Sequence, residues 1–252
     1  MRFLVKYLIA YSQLYYYRFK KSSGTTSFVK MYPTKSFSSP YHSKWMKPHY
    51  CKRLHHFIAT PLRRNDVVFI GDSITEQGIH WDKKFGIRKV RNRGISGDMT
   101  DGVLHRLNEI AYYKPKAVFI LIGINDLNNY YETHQGNKKK YKKAVPSVGY
   151  IPRTILKITQ KIKESTPETD VYVRTVLPTD RPVLVDHIIK INSKIKKNAT
   201  EGGYTVIDLY SAFAAPNNLI IDAYTRDGLH LSSEGYKHWV AFEKDIVRQY
   251  RQ

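Results

Sequence analysis

Between residues 67 and 250 the apolar positions follow two alternating rhythms. Unbroken runs at 67–70 and 117–122 are too short for a membrane span, and each is typical of a strand covered on both faces. Between such runs the apolar residues recur every three or four positions. Val103, Leu104, Leu107, Ile110 and Ala111 mark one helix, which Asp98 can cap, and Ile151, Ile155, Ile158 and Ile162 mark a second. Ile188, Ile191 and Ile195 mark a third helix, and Trp239, Val240 and Val247 form the inner face of a last one over 236–250. A weaker helical pattern covers 75–85, and further strands are predicted at 89–92, 171–176 and 205–209. Strand and helix therefore take turns five times. Parallel strands need crossover connections, so the pattern predicts an α/β fold, a three-layer α/β/α sandwich built on a five-stranded parallel sheet.

In such a sheet, residues just past the carboxyl ends of the strands gather along one edge, where ligands bind. Three polar motifs lie there in the sequence: GDSIT with Ser73, GISGD with Gly97, and GIND with Asn125. A fourth, DGLH, places Asp227 three residues before His230, on a loop ahead of a helix that Ser232 or Ser233 can cap. A serine hydroxyl needs a base to act as a nucleophile. His230 is the candidate base for Ser73, with Asp227 as the partner of its second ring nitrogen. The Ser73 amide, the Gly97 amide and the Asn125 side chain are candidate donors to a developing oxyanion. Taken singly, each motif has an ordinary reading: Gly-Asp-Ser is a common turn, Asn125 can cap a loop, and Gly97 can be a glycine needing positive φ. Asp72, Asp98 and Asp126 read as turn and hydrogen-bonding residues. Tyr130 and Tyr131 follow Asn125 closely enough to border the cleft or to pack their own loop. Trp81 reads as a buried helix residue, with a place in the cleft wall as the other option.

The four motifs, in this order, resemble the blocks of the GDSL or SGNH hydrolase superfamily over roughly residues 60–250, with GDSI standing where the family reads GDSL. NRGISGDMTDGVLHRL together with GINDL is most similar to the branch that holds the platelet-activating-factor acetylhydrolase catalytic subunits and bacterial acetylesterases acting on sugars. The resemblance implies a flavodoxin-like sandwich, no metal and no cofactor. It also implies hydrolysis of esters or thioesters through an acyl-serine intermediate, with Gly97 and Asn125 as oxyanion donors. The substrate so implied is a small-molecule ester of short acyl chain, such as an acetylated sugar. A thioesterase or lysophospholipase with a longer groove would use the same residues. No G-x-S-x-G elbow, phosphate loop or G-x-G-x-x-G is present.

Charge divides the chain. Of its 42 Lys and Arg, 13 fall within residues 1–65, which hold no Asp or Glu; the remaining 29 face 21 acidic residues, a net of +8. Residues 1–40 read as a basic leader ahead of a hydrolase domain at 41–252, either a disordered segment or one suited to a polyanion, an anionic membrane surface or targeting. The leader begins like an export signal, but Lys6 breaks its apolar stretch and no small-residue cleavage site follows, so cytoplasmic and exported placements both stay open. KKKYKK at 138–143 reads as a solvated loop. Residues 41–62 read as a leading helix or turn packed on the domain, and His55 and His56 in it as packed or solvated rather than metal-bound. Cys51 is the single cysteine, which excludes an intrachain disulfide.

Overall fold

The computed structural model describes residues 32, 39–43, 45–137 and 140–251. The basic leader lies almost wholly outside the described residues, so the readings placed on it concern a part of the chain not described. No helix among the described residues is long and apolar enough to cross a membrane.

Five parallel strands form one sheet in the order β2-β1-β3-β4-β5: β1 (Val67–Gly71), β2 (Val90–Gly94), β3 (Ala117–Leu121), β4 (Asp170–Arg174) and β5 (Thr205–Ile207). The expected α/β sandwich is what forms. Every residue of β1 and β3 is buried, as unbroken apolar runs require when helices cover both faces. In register, Phe69 pairs with Asn92 on one side and Phe119 on the other. β1 ends on a glycine because the Leu121 carbonyl of β3 occupies the space a Cβ would need at Gly71.

The helices are α1 (Met46–Ala59), α2 (Ser73–Gln77), α3 (Trp81–Phe85), α4 (Thr100–Leu104), α5 (Asn108–Tyr113), α6 (Ile124–His134), α7 (Tyr150–Ser165), α8 (Val185–Lys197), α9 (Ala199–Gly202), α10 (Leu209–Phe213) and α11 (Ser233–Arg248). α7 and α8 carry the predicted isoleucine stripes, all buried. On α11 Trp239 and Val247 are buried, while Val240 is half-buried.

Two expected helices are each broken in two. The pattern at 75–85 divides because the Trp81 indole N–H donates to the Thr75 carbonyl at 2.9 Å, and Asn92 Nδ2 takes the same carbonyl at 3.1 Å and that of Glu76 at 2.9 Å. The helix thus loses acceptors it would need to continue, and Ile79 turns the chain with φ +53°. The pattern at 98–111 divides into α4 and α5, and Asp98 is not the cap, since Met99 holds that position. The Asp98 carboxylate is taken up by Arg106 Nε at 3.0 Å and His42 Nε2 at 3.1 Å. At 205–209 the strand stops at Ile207 because Asp208 caps α10.

Inside the sheet's core lies a charged pair. Arg174 at the end of β4 meets Glu243 of α11 through two contacts of 2.7 Å, both side chains being fully buried. The guanidinium lies over the Phe69, Trp239 and Phe119 rings at 4.1, 4.9 and 5.0 Å.

Candidate active site

β1 delivers Ser73 to the rim of the sheet. Asp72 caps α2, its Oδ1 accepting from the Ile74 amide at 3.0 Å, so Ser73 occupies the first helical position. An amide there has no intrahelical acceptor, and its N–H is left to point outward. Ser73 Oγ lies 2.9 Å from His230 Nε2, across 157 residues of sequence. On the far side of the ring, His230 Nδ1 is 2.8 Å from Asp227 Oδ2. The other carboxylate oxygen of Asp227 accepts from the amides of His230 at 2.7 Å and Leu229 at 3.1 Å. With a carboxylate facing Nδ1, that nitrogen carries the proton and Nε2 is left to accept from the serine.

The loop bearing the histidine is fixed from several directions. The His230 carbonyl accepts from Thr225 Oγ1 and from the Arg226 amide. Gly228, at φ +79°, packs against the Asp180 carboxyl, and its carbonyl accepts from the Asp180 amide at 2.9 Å. Ser232 Oγ caps α11 by accepting from Gly235, and Tyr236 Oη of that helix donates to the Ile74 carbonyl at 2.7 Å. One helix therefore holds both the histidine loop and the serine turn. Burial alone would raise the Asp227 carboxyl, but its bonds from the His230 amide and ring and from the Leu229 amide hold it below the usual carboxylate range.

The remaining two motifs meet at the same rim. Gly97 has φ +78°, a backbone state that favours glycine, and its amide meets no acceptor among the described residues. Asn125 stands in the first turn of α6, and its Nδ2 donates to the Asp98 carbonyl at 3.0 Å. That bond uses one of two N–H groups, which leaves the other for a ligand.

Beneath the rim are buried carboxylates. Burial pushes Asp72 up to about 7 in spite of its bond from Ile74, and its Oδ2 has no hydrogen-bond partner among the described residues. Asp126 is likewise raised by burial to about 7, although Thr100 donates to it through both Oγ1 and its amide. These are the hydrogen-bonding acids the sequence suggested, and both face inward.

Of the three aromatics considered for the cleft, Trp81 is a correction to the wall option. It is fully buried, with ring centroids 4.9 Å from Trp239 and 5.1 Å from Phe69. Tyr130 and Tyr131 are half-buried on α6. Tyr130 packs against His134 at 4.1 Å, and the Arg181 guanidinium lies 5.2 Å over Tyr131 while bonding to Asn128, one turn past Asn125. Asn128 and Arg181 escaped the sequence reading, since no local pattern marks them. So did Glu76, His49 and Arg53, which surround the Gly97 loop. Of the 138–143 loop, Lys140 pairs with Glu132 at the surface while Tyr141 is buried against residues near 41.

A hydroxyl on an imidazole, the imidazole on a carboxylate, and outward amide donors at the end of a parallel sheet make up the equipment for acyl transfer through serine. The fold and this arrangement define the class, a carboxylic ester hydrolase. The chain belongs to the GDSL-like Lipase/Acylhydrolase family, which it matches over residues 69–238. It is 28% identical over 204 residues to the platelet-activating factor acetylhydrolase IB subunit alpha1 of Rattus norvegicus, covering 77% of this chain and 78% of that one. In fold it is similar to a GDSL-like lipase from Bacteroides thetaiotaomicron, with TM-score 0.65, 22% identity, and 79% and 97% of the two chains covered. It also shares the fold of an acetylxylan esterase from Geobacillus stearothermophilus, with TM-score 0.59, 21% identity, and coverage of 76% and 98%.

Proposed function

We propose that the enzyme removes a short acyl group, acetyl above all, from an ester of a carbohydrate or similar small alcohol, with Ser73, His230 and Asp227 as its catalytic residues. The observation that carries the serine-esterase reading is the relay from Ser73 Oγ to His230 Nε2 at 2.9 Å and from His230 Nδ1 to Asp227 Oδ2 at 2.8 Å. The names of two similar proteins, an acetylhydrolase and an acetylxylan esterase, support acetyl as the acyl group.

In the mechanism, His230 Nε2 takes the Ser73 proton as Oγ attacks the ester carbonyl, and Asp227 stabilises the imidazolium that forms. The carbonyl oxygen gathers negative charge beside the Ser73 and Gly97 amides and Asn125 Nδ2, each donor of this kind being worth about 3 kcal/mol in the transition state. The imidazolium then protonates the departing alcohol, leaving an acyl-serine. Water, deprotonated by the same ring, attacks that ester and releases the acid.

The test is turnover of p-nitrophenyl esters of graded acyl length and of acetylated sugars. Ser73→Ala is expected to abolish hydrolysis of the acetate with the melting temperature nearly unchanged. Wild-type rates should fall steeply beyond two or three acyl carbons. Activity retained in Ser73→Ala would remove the nucleophile assignment, and a rate maximum at eight carbons or more would remove the acetyl reading.

A further inference from the structure

α1 lies upstream of the family-matched residues 69–238, yet it packs directly on the loop that carries Gly97. Ile95 of that loop is fully buried in a cluster with Met46, Tyr50, Leu54 and Phe57 of α1. A Cβ on Gly97 would run into the Met46 sulfur and lie 2.8 Å from the Trp45 ring, so the helix end is seated on the glycine itself. Arg53 Nε donates to the Gly94 carbonyl at 3.0 Å. Glu76, on the helix that starts with Ser73, closes the arrangement. Its Oε2 accepts from the Ser96 amide at 2.5 Å and from His49 Nε2 at 2.9 Å, and its Oε1 lies 3.4 Å from Arg53 Nε. Burial alone would raise the Glu76 carboxyl, but the His49 bond, the Arg53 charge and the Ser96 amide bring it down to about 2.

We propose that Glu76, held by His49 and Arg53 of α1, is a positioning residue that fixes the peptide of Ser96 and Gly97 so that the Gly97 amide stands ready for the oxyanion. The proposal rests on the function above. Glu76 touches no substrate. It acts by spanning the serine helix and the donor loop, which sets the distance between the Ser73 and Gly97 amides. Those two amides must converge on one oxygen, and a misplacement of ~1 Å can cost about a hundredfold in rate. α1 is therefore part of the catalytic apparatus although the family match begins after it.

The experiment compares full-length wild type, Glu76→Ala and Glu76→Gln for kcat and KM on p-nitrophenyl acetate, and for inhibition by a trifluoromethyl ketone, whose serine adduct carries the oxyanion. Glu76→Ala should lower kcat by about 10- to 100-fold with KM within about twofold, and should weaken the ketone by the same factor. Glu76→Gln keeps an oxygen acceptor for the Ser96 amide and should recover most of the loss. If Glu76→Ala does not fold, His49→Phe cuts one of the two ties to α1, leaving that of Arg53, and should lower kcat in the same pattern, by about 3- to 10-fold. A folded Glu76→Ala with kcat within twofold of wild type overturns the proposal, as does a fall in kcat with ketone affinity unchanged. Failure of the functional reading looks different: either wild type does not cleave the acetate, or Ser73→Ala does.

Discussion

Replacing Asp227 by Asn changes one atom, and the hydrogen bonds around it dictate which. Asp227 Oδ1 accepts from two backbone amides, His230 at 2.7 Å and Leu229 at 3.1 Å, and neither donor can reverse its role. The asparagine oxygen must therefore occupy that position, and its NH2 must face His230 Nδ1, where the carboxylate Oδ2 now lies at 2.8 Å. An N–H facing Nδ1 requires that nitrogen to accept, which puts the ring proton on Nε2, opposite Ser73 Oγ at 2.9 Å. The base is then in the wrong tautomer and cannot take the serine proton. A lock of this kind is expected to lower kcat by about 10⁴, some 5–6 kcal/mol of barrier, with little change in KM. Because both amide bonds survive, Asp227→Asn should melt close to wild type. Asp227→Ala, which deletes both amide bonds, should be the less stable of the two while leaving the ring free to choose its tautomer. The assay is steady-state hydrolysis of p-nitrophenyl acetate beside thermal melts of both variants. Asp227→Asn retaining more than a tenth of wild-type kcat would refute the tautomer argument.

Glu243→Ala strips the carboxylate bonded to the fully buried Arg174, whose Nη1 has no partner among the described residues, and should cost about 3–5 kcal/mol in denaturant unfolding. The double variant Arg174→Met with Glu243→Leu should regain most of that, and a single variant losing under 1 kcal/mol would contradict the assignment. Asp72 titrates in the opposite sense to a paired carboxylate. Its folded pKa is raised from 3.8 to about 7, so the unfolded chain gives up this proton first, and the group's contribution to stability falls as pH rises from about 4 to about 7. Asp72→Asn keeps an oxygen for the Ile74 amide and should flatten stability over that window; urea unfolding across pH 4–8 with the same slope in both proteins would reject the burial argument. Glu76, lowered to about 2, acts in a different window, its contribution being lost only as pH falls below about 4.5.

The sheet was legible in the sequence because fully covered strands leave unbroken apolar runs, and 67–70 and 117–122 mark two central neighbours, β1 and β3. The four motifs were legible because each follows a strand or precedes a helix, a relation that survives in one dimension. What did not show has a common cause in partners distant along the chain. A charged residue such as Arg174, at the end of a short strand, reads locally as the start of the surface, and only the docking of Glu243, 69 residues later, makes it interior. The break in the helical pattern at 75–85 depends on two side chains, Trp81 and Asn92, taking carbonyls that a lone helix would keep for itself, and Asp98 is lost as a cap because Arg106, eight residues on, draws its carboxylate inward.

The site shows the same division between what is local and what is assembled. Ser73 and His230 are 157 residues apart, and α11 links them, together with the bond from Arg226 of the histidine loop to Gln77 of α2. Its Ser232 cap ends the histidine loop, Tyr236 Oη bonds to the Ile74 carbonyl beside the serine, and Glu243 anchors the helix to β4 beneath the sheet. Two turns separate the catalytic-side contact from the buried ion pair, so the helix transmits the position of the sheet to the imidazole as a rigid body. A weakened Arg174–Glu243 pair should therefore loosen the Ser73–His230 contact, because the same helix carries the Ser232 cap beside the histidine loop and the Tyr236 bond to the serine turn.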